Sequence, residues 1–315
     1  MADVGGDRGQ LLLVTAISLA VLFVTLALVM NTVIYTENLA TRSSKVAGGS
    51  EAVGYRSAVE AGIGGLITHV NYHNNTSHAD LQSNLTTGVE DWTNATGKLY
   101  AQSGTVVNAS LLSTENGTRI EQDGADRDFT NASESKNDWT LASNVNDTRE
   151  FRINVTDDDH LEDFGDGDGF GVVVDDGSNT WRVNVTDNGG TKVGIENGTG
   201  DEFVCSVASD EPWINVTAGT VAGEECDGLD FAEGLTVPYS ISFENGDNIN
   251  GTYTLVVTNE SLASNPGIHS HVNDDGSGSP YVTPATYSAR IELVYQSPRL
   301  FFNTSVRVAP GEADG

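Results

Sequence analysis

The pattern of apolar positions divides the chain into three regimes. Residues 11–34, "LLLVTAISLAVLFVTLALVMNTVI", carry no charge. At 1.5 Å per residue such a run makes a helix of ~36 Å, longer than the ~30 Å hydrocarbon core of a bilayer. The run therefore predicts a transmembrane or filament-forming helix over 10–35. From Tyr35 to about Tyr72 apolar residues recur at helical spacing, with Ala58, Ile63, Leu66 and Val70 on one stripe. Gly48-Gly49 and Gly64-Gly65 are candidate kinks or ends. The stretch "SHADLQSNLTTGVEDWTNATGKLYA" predicts a second amphipathic helix, with Leu81, Leu85, Val89, Trp92, Ala95 and Leu99 on its stripe and Ser77 as its cap. Paired as a hairpin, the two helices are expected to form an extracellular stalk over 36–105.

From Val106 the period switches to two. "TVVNASLL", "GTRIEQ", "WTLASNV", "EFRINVT", "FGVVVD", "NTWRVNVT", "GTYTLVVT" and "FFNTSVRV" alternate as strands do, and "DDGSN", "DNGG" and "ENGDN" supply turns between them. Short strands without intervening helices imply an antiparallel β-sandwich over 106–308, followed by a disordered tail, 309–315. The expected class is α+β: a short cytoplasmic leader (1–9), a membrane helix running into a helical stalk, then a sandwich-like domain. Three strands share the pattern [IV]NVT, a weak internal repeat that a strand containing a glycan acceptor explains nearly as well.

Charge narrows the partners. The chain holds 45 acidic and 15 basic residues, for a net of −30. It would repel nucleic acid and anionic lipid. Only Lys45, Lys98, Lys136 and Lys192 are lysines. A Lys-poor, Asp-rich chain of this kind suits multimolar salt, which screens self-repulsion within a few ångströms.

Glycan acceptors of the form Asn-x-Ser/Thr occur at Asn74, Asn75, Asn84, Asn94, Asn108, Asn116, Asn131, Asn146, Asn154, Asn184, Asn197, Asn215, Asn250, Asn259 and Asn303. That is about threefold more than a chance arrangement of the Asn, Ser and Thr would give, and none precedes residue 74. Strand alternation offers an independent check, because successive side chains face opposite sides. If Phe151, Ile153 and Val155 point inward, Asn154 points out. The same holds for Asn184 beside Trp181, Val183 and Val185, for Asn215 between Ile214 and Val216, and for Asn303 against Phe302, Val306 and Val308. The region after residue 36 is thus expected outside the cell, with the N-terminus inside. Cys205 and Cys226 then fit one disulfide, closing a loop of about 20 residues worth ~3 kcal/mol in the chain-entropy model; two buried thiols are the alternative.

The flank "DRGQ" resembles the class III signal of archaeal prepilins and archaellins, in which a basic residue and Gly precede the apolar helix. The matching positions are Arg8, Gly9 and Gln10. The resemblance implies a prepilin-type peptidase cutting between Gly9 and Gln10, and self-assembly or assembly with other pilin-like subunits. Thr15 lies near the position where bacterial-type pilins carry Glu. More broadly, "RGQLLLVTA", "GTRIEQD", "DWTLASNV", "TWRVNV" and "SPRLFFNTSVRVAPGE" resemble haloarchaeal secreted or surface proteins of uncharacterised function, which supply no activity to borrow.

Catalytic chemistry finds little foothold. No nucleophile elbow, phosphate loop, dinucleotide fingerprint or CxxC appears. No cofactor is expected. In "DDDHLEDFGDGDGF", Asp163, Asp166 and Asp168 are weak candidates for calcium, but Phe164 breaks the alternate-acid spacing. His69 and His73, at i and i+4, lack a third ligand. The four tryptophans read as core residues or, less simply, as a carbohydrate-stacking platform. Two roles remain. One is a pilin-like or pseudopilin-like structural subunit displaying a glycosylated β domain. The other is an uncleaved envelope or binding protein, anchored in the membrane by residues 11–34, that does not polymerise.

Overall fold

The computed structural model describes residues 49–73, 76–157, 169–187, 191–196, 202–206, 213–258 and 278–312. Helix α1 covers 49–73 and α2 covers His78–Ala101. The strands are β1 (Val106–Gln122), β2 (Trp139–Val145), β3 (Thr148–Asp157), β4 (Phe170–Asp175), β5 (Thr180–Asp187), β6 (Thr191–Glu196) and β7 (Glu202–Ser206). They continue with β8 (Trp213–Asn215), β9 (Thr220–Val221), β10 (Glu224–Glu225), β11 (Tyr239–Glu244), β12 (Asn250–Thr258), β13 (Tyr281–Gln296) and β14 (Phe301–Val308). One sheet has the order β10-β9-β8-β3-β12-β1-β13-β14 and the other β2-β11-β4-β5-β6-β7, with every described pairing antiparallel.

Two cores result. In the first, Phe151, Ile153, Val155 and Leu255 from the larger sheet meet Val172, Val174, Trp181 and Val183 from the smaller, all fully buried. Aromatic rings of Phe129, Phe170, Phe243 and Tyr253, packed mostly edge to face, fill one part of it. In the second, α1 and α2 cover Val107, Ala109, Ile291, Leu293, Tyr295 and Val306. Strand β1 belongs to both. Val107 and Ala109 lie beneath the helices, whereas Ile120 joins the first core. Register shifts at Leu111/Ser113 and Glu115/Asn116 separate the two stretches. Such bulges re-aim side chains and bend a strand without ending its pairing, which is why "TVVNASLL" and "GTRIEQ" form one strand rather than two.

The helices are not a stalk. Tyr55, Val59, Ile63 and Ile67 of α1 are fully buried against the sheet. A Cβ on Gly62 would stand 2.4 Å from the Trp92 indole, and one on Gly88 3.3 Å from Leu66, so small residues let α1 and α2 approach closely. Asn71 binds the backbone of Thr286 across 215 residues of sequence. Of the expected stripe, Ile63 and Val70 are buried and Leu66 partly so, but Ala58 is exposed, and α1 runs unbroken through Gly64-Gly65. In α2, Leu81, Leu85 and Val89 are buried and Ser77 caps, accepting from the Asp80 N–H, but Leu99 is 63% exposed.

Two expectations are therefore corrected. Among the described residues the fold is mostly β, with 46% strand and a curled eight-stranded sheet, rather than the expected α+β arrangement of a membrane helix and helical stalk followed by a β-sandwich. Among the described residues no helix is long and apolar enough to cross a membrane, so a single-pass anchor finds no support in this fold. The segments on which it rested, the leader (1–9) and the helix at 10–35, lie outside the described residues.

Candidate functional site

Where α1 ends over the larger sheet, the face turned away from the first core carries three rows of polar residues. Ile153 and Ile214 point into that core, so alternation turns their strand neighbours to the other face. The outermost row runs Trp213, Asn154, Thr252 across β8, β3 and β12. The next runs Asn215, Arg152, Thr254, Glu121, Tyr281. The innermost runs Glu150, Val256, Arg119, Thr283.

In the innermost row Glu150, Val256 and Arg119 are buried where the end of α1 lies over them, and Thr283 is half-buried. The Tyr72 ring lies 4.3 Å from the Arg119 guanidinium carbon, a cation–π contact. Arg119 Nη2 stands 3.0 Å from Glu121 Oε2, which also accepts from the Tyr281 hydroxyl at 2.9 Å. Arg149, 1% exposed, donates from Nη1 to the carbonyls of Thr286 and Tyr287 at 2.8 and 3.1 Å. Its Nη2 lies 3.6 Å from Glu150, while Arg152 Nε lies 3.4 Å from the same carboxylate. Arg119 Nη1, Arg149 Nε and Glu150 Oε1 are buried without a hydrogen-bond partner. Three guanidinium groups thus face two carboxylates, a local cationic excess in a chain of net −30.

Burial pulls the Arg149 pKa below its ordinary value, against the opposing pull of Glu150. Burial also pushes the Tyr72 phenol up, as it does Tyr281, with Glu150 and Glu121 respectively adding to the effect. Both phenols therefore stay protonated donors near neutrality.

Beside this cluster opens a groove of about 290 Å³, lined by Tyr72, Glu121, Asp123, Arg152, Trp213 and Thr254. It offers an exposed indole, a guanidinium, carboxylates and hydroxyls, but no histidine or cysteine among its lining residues. That inventory suits recognition of a hydroxyl-rich ligand. Two further cavities are of about 820 Å³, beside Gly219, Phe231 and Glu312, and about 410 Å³, between α2 and β1 with Asn94 and Asn108 on its lining.

The asparagines of the Asn-x-Ser/Thr motifs divide by position. Asn84, Asn94, Asn108, Asn116, Asn146 and Asn303 are exposed, and Asn154, Asn184, Asn215 and Asn250 half-buried. Asn131 is only 2% exposed. Its Oδ1 accepts from the Ser135 and Lys136 N–H groups and its Nδ2 donates to Ser133 Oγ, so a glycan on that nitrogen does not fit the closed loop. Asn250 Nδ2 donates to the Asp126 carbonyl, and its Oδ1 is buried without a partner. Asn74, Asn75, Asn197 and Asn259 lie outside the described residues, as do Arg8, Gly9, Gln10, Asp163, Asp166 and Asp168.

Cys205 and Cys226 form the disulfide, with Cα atoms 5.8 Å apart. The rings of His69 and His73 are 4.6 Å apart, yet among the described residues no group of three or more His, Cys, Asp or Glu could hold a metal ion. Trp139 and Trp181 are core residues and Trp92 is half-buried between the helices, whereas Trp213 is 58% exposed. Sequence reasoning missed the Arg119, Arg149 and Glu150 cluster. Its one signal was alternating-sign charge on the outward positions of "GTRIEQ" and "TREFR".

Residues 5–138, from the apolar run through both helices and β1, match a family model described as a family of unknown function (DUF7261). No curated protein and no solved structure matches the chain.

Proposed function

We propose that this protein is a structural subunit of the cell exterior, pilin-like in plan, whose β body displays glycans and which catalyses no reaction. The observation that carries the reading is the placement of the acceptors: ten of the eleven described Asn-x-Ser/Thr asparagines reach solvent, spread over α2 and both sheets. Buried polar side chains of that number would each need partners; on the surface they cost little and accept glycans. The disulfide agrees with an oxidising compartment.

The pilin-like part rests on "DRGQ" before the apolar run and on α1, which lies along the sheet as the first described element of the body. Its partners are copies of itself or related subunits, and a prepilin-type peptidase acting between Gly9 and Gln10. Terminal-peptide mass spectrometry of the protein from its own cells tests this directly. A mature start at Gln10, with filaments containing the protein in electron micrographs, is the expected result. A start at Met1 or Ala2 with no assembly refutes it.

A further inference from the structure

We infer that the groove beside Trp213 seats the protein's own carbohydrate, the first sugar of a glycan on Asn154 stacking on the Trp213 indole. The inference rests on the glycan-display part of the reading above and is independent of filament assembly.

Asn154 and Trp213 are direct cross-strand partners on the outer face of the larger sheet. Side chains so paired have Cβ atoms about 4.5–5.5 Å apart, which places the indole within reach of a sugar attached at Nδ2. Thr252 stands on the other side of Asn154 in the same row, and Arg152, Thr254 and Glu121 form the adjoining row. A pyranose presents a face of C–H groups and a rim of hydroxyls. The C–H face complements the electron-rich face of an indole. The hydroxyl rim finds a guanidinium, carboxylates and threonine hydroxyls around the same groove. At about 290 Å³ the groove falls at the lower limit of the ~300–1,000 Å³ typical of drug-sized ligands, which suits one sugar ring.

The other acceptors on strands serve as internal controls. Asn184 lies between Gly171 and Gly194, and Asn108 and Asn303 both stand beside Val294. Asn215 is flanked by Arg152 and Thr220, and Asn116 by Thr286. Among the described strand acceptors, Asn154 alone faces an aromatic ring. Trp213 in turn is 58% exposed, while Trp139 and Trp181 are 4% and 0% exposed. A sugar on Asn154 gives that indole a packing partner.

The test uses protein purified from its own cells, with glycopeptide mass spectrometry to read Asn154. The expected result is an occupied Asn154 and a coupled pair of substitutions. Trp213→Leu should lower Tm by roughly 2–4 °C more in the wild-type background than in Asn154→Gln, while Asn303→Gln shows no such coupling. Because the other described tryptophans are buried or half-buried, acrylamide quenching reports mainly on Trp213, and it should increase in Asn154→Gln. An unmodified Asn154 overturns the inference, and glycans found on other acceptors would still leave the display reading standing. A modified Asn154 with additive substitutions and unchanged quenching overturns it as well.

Discussion

Asn71 joins α1 to the body through a single residue of β13, and its removal has a calculable cost. Its Nδ2 donates to the Thr286 carbonyl at 3.0 Å and its Oδ1 accepts from the Thr286 N–H at 2.8 Å. Asn71 is 1% exposed and Thr286 3%. In Asn71→Ala the carbonyl keeps Arg149 Nη1 at 2.8 Å, but the N–H loses the partner it has in the wild type. An orphaned buried donor costs ~1–3 kcal/mol and the second lost bond ~0.5–1.5 kcal/mol, for a total of roughly 2–4 kcal/mol. Asn71→Asp keeps the acceptor but sets a carboxylate oxygen against the Thr286 carbonyl and so also loses the Nδ2 bond. Urea unfolding in multimolar salt measures the loss. Hydrogen exchange of the Thr286 amide localises it, since that amide should become one of the fastest in β13. A change below about 0.5 kcal/mol, with the Thr286 amide still slow, would refute the claim that α1 is bound into the body at this point.

Other predictions follow from local geometry. Gly251 has φ +155°, and a Cβ there would lie 2.0 Å from the Asn154 carbonyl oxygen; Gly251→Ala should cost at least ~3 kcal/mol or shift β3, read by urea unfolding and by the Asn154 amide resonance. Asp176 accepts from the backbone N–H groups of Asn179, Thr236 and Ser178, which hold its carboxyl well below the usual range. With the folded-state pKa depressed, its contribution is complete above the ordinary value of ~4 and disappears as pH falls below it; Asp176→Asn should therefore flatten the stability–pH curve on the acid side, and an unchanged curve would count against these bonds. Reducing the disulfide, or replacing Cys205 and Cys226 by Ser, opens a loop with sequence separation 21 and should lower stability by about 3 kcal/mol in urea titrations.

Much of the β body was legible. "FRINVT", "WRVNVT", "WINVT" and "FFNTSVRV" alternate, and their inward residues are buried, Phe302 only partly, while their asparagines are not. The Ser77 cap and the disulfide were equally local signals. The helices were harder because α1 buries a stripe containing Tyr55, whose hydroxyl is enclosed without a partner, and Gly64, which packs beside Val308 and Pro310. Periodicity weighs residues by apolarity, so Ala58 and Leu66 drew the stripe away from them. The charged cluster was illegible for a different reason. Arg119 and Glu150 occupy outward strand positions, which read as solvated; only the tertiary placement of the α1 end over that face buries them.

The pairing of β1 with β13 also sets an order of events during biosynthesis. Val106 meets Gln296, and β1 takes its other neighbour from β12, at residues 253–258. A central strand whose partners lie so far along the chain cannot pair fully until residue 296 has been made, and long-range antiparallel pairing of this kind is intrinsically slow. In that interval Asn131 is accessible to a transferase only until its own loop closes, an event made local by partners four and five residues away. Once the 131–136 loop closes, Asn131 is sealed by the Ser135 and Lys136 amides. A chain that received a glycan there first could not close the loop, so the finished protein should carry Asn131 unmodified among occupied neighbours: a record, in one residue, that folding outran the transferase or that misglycosylated chains were discarded.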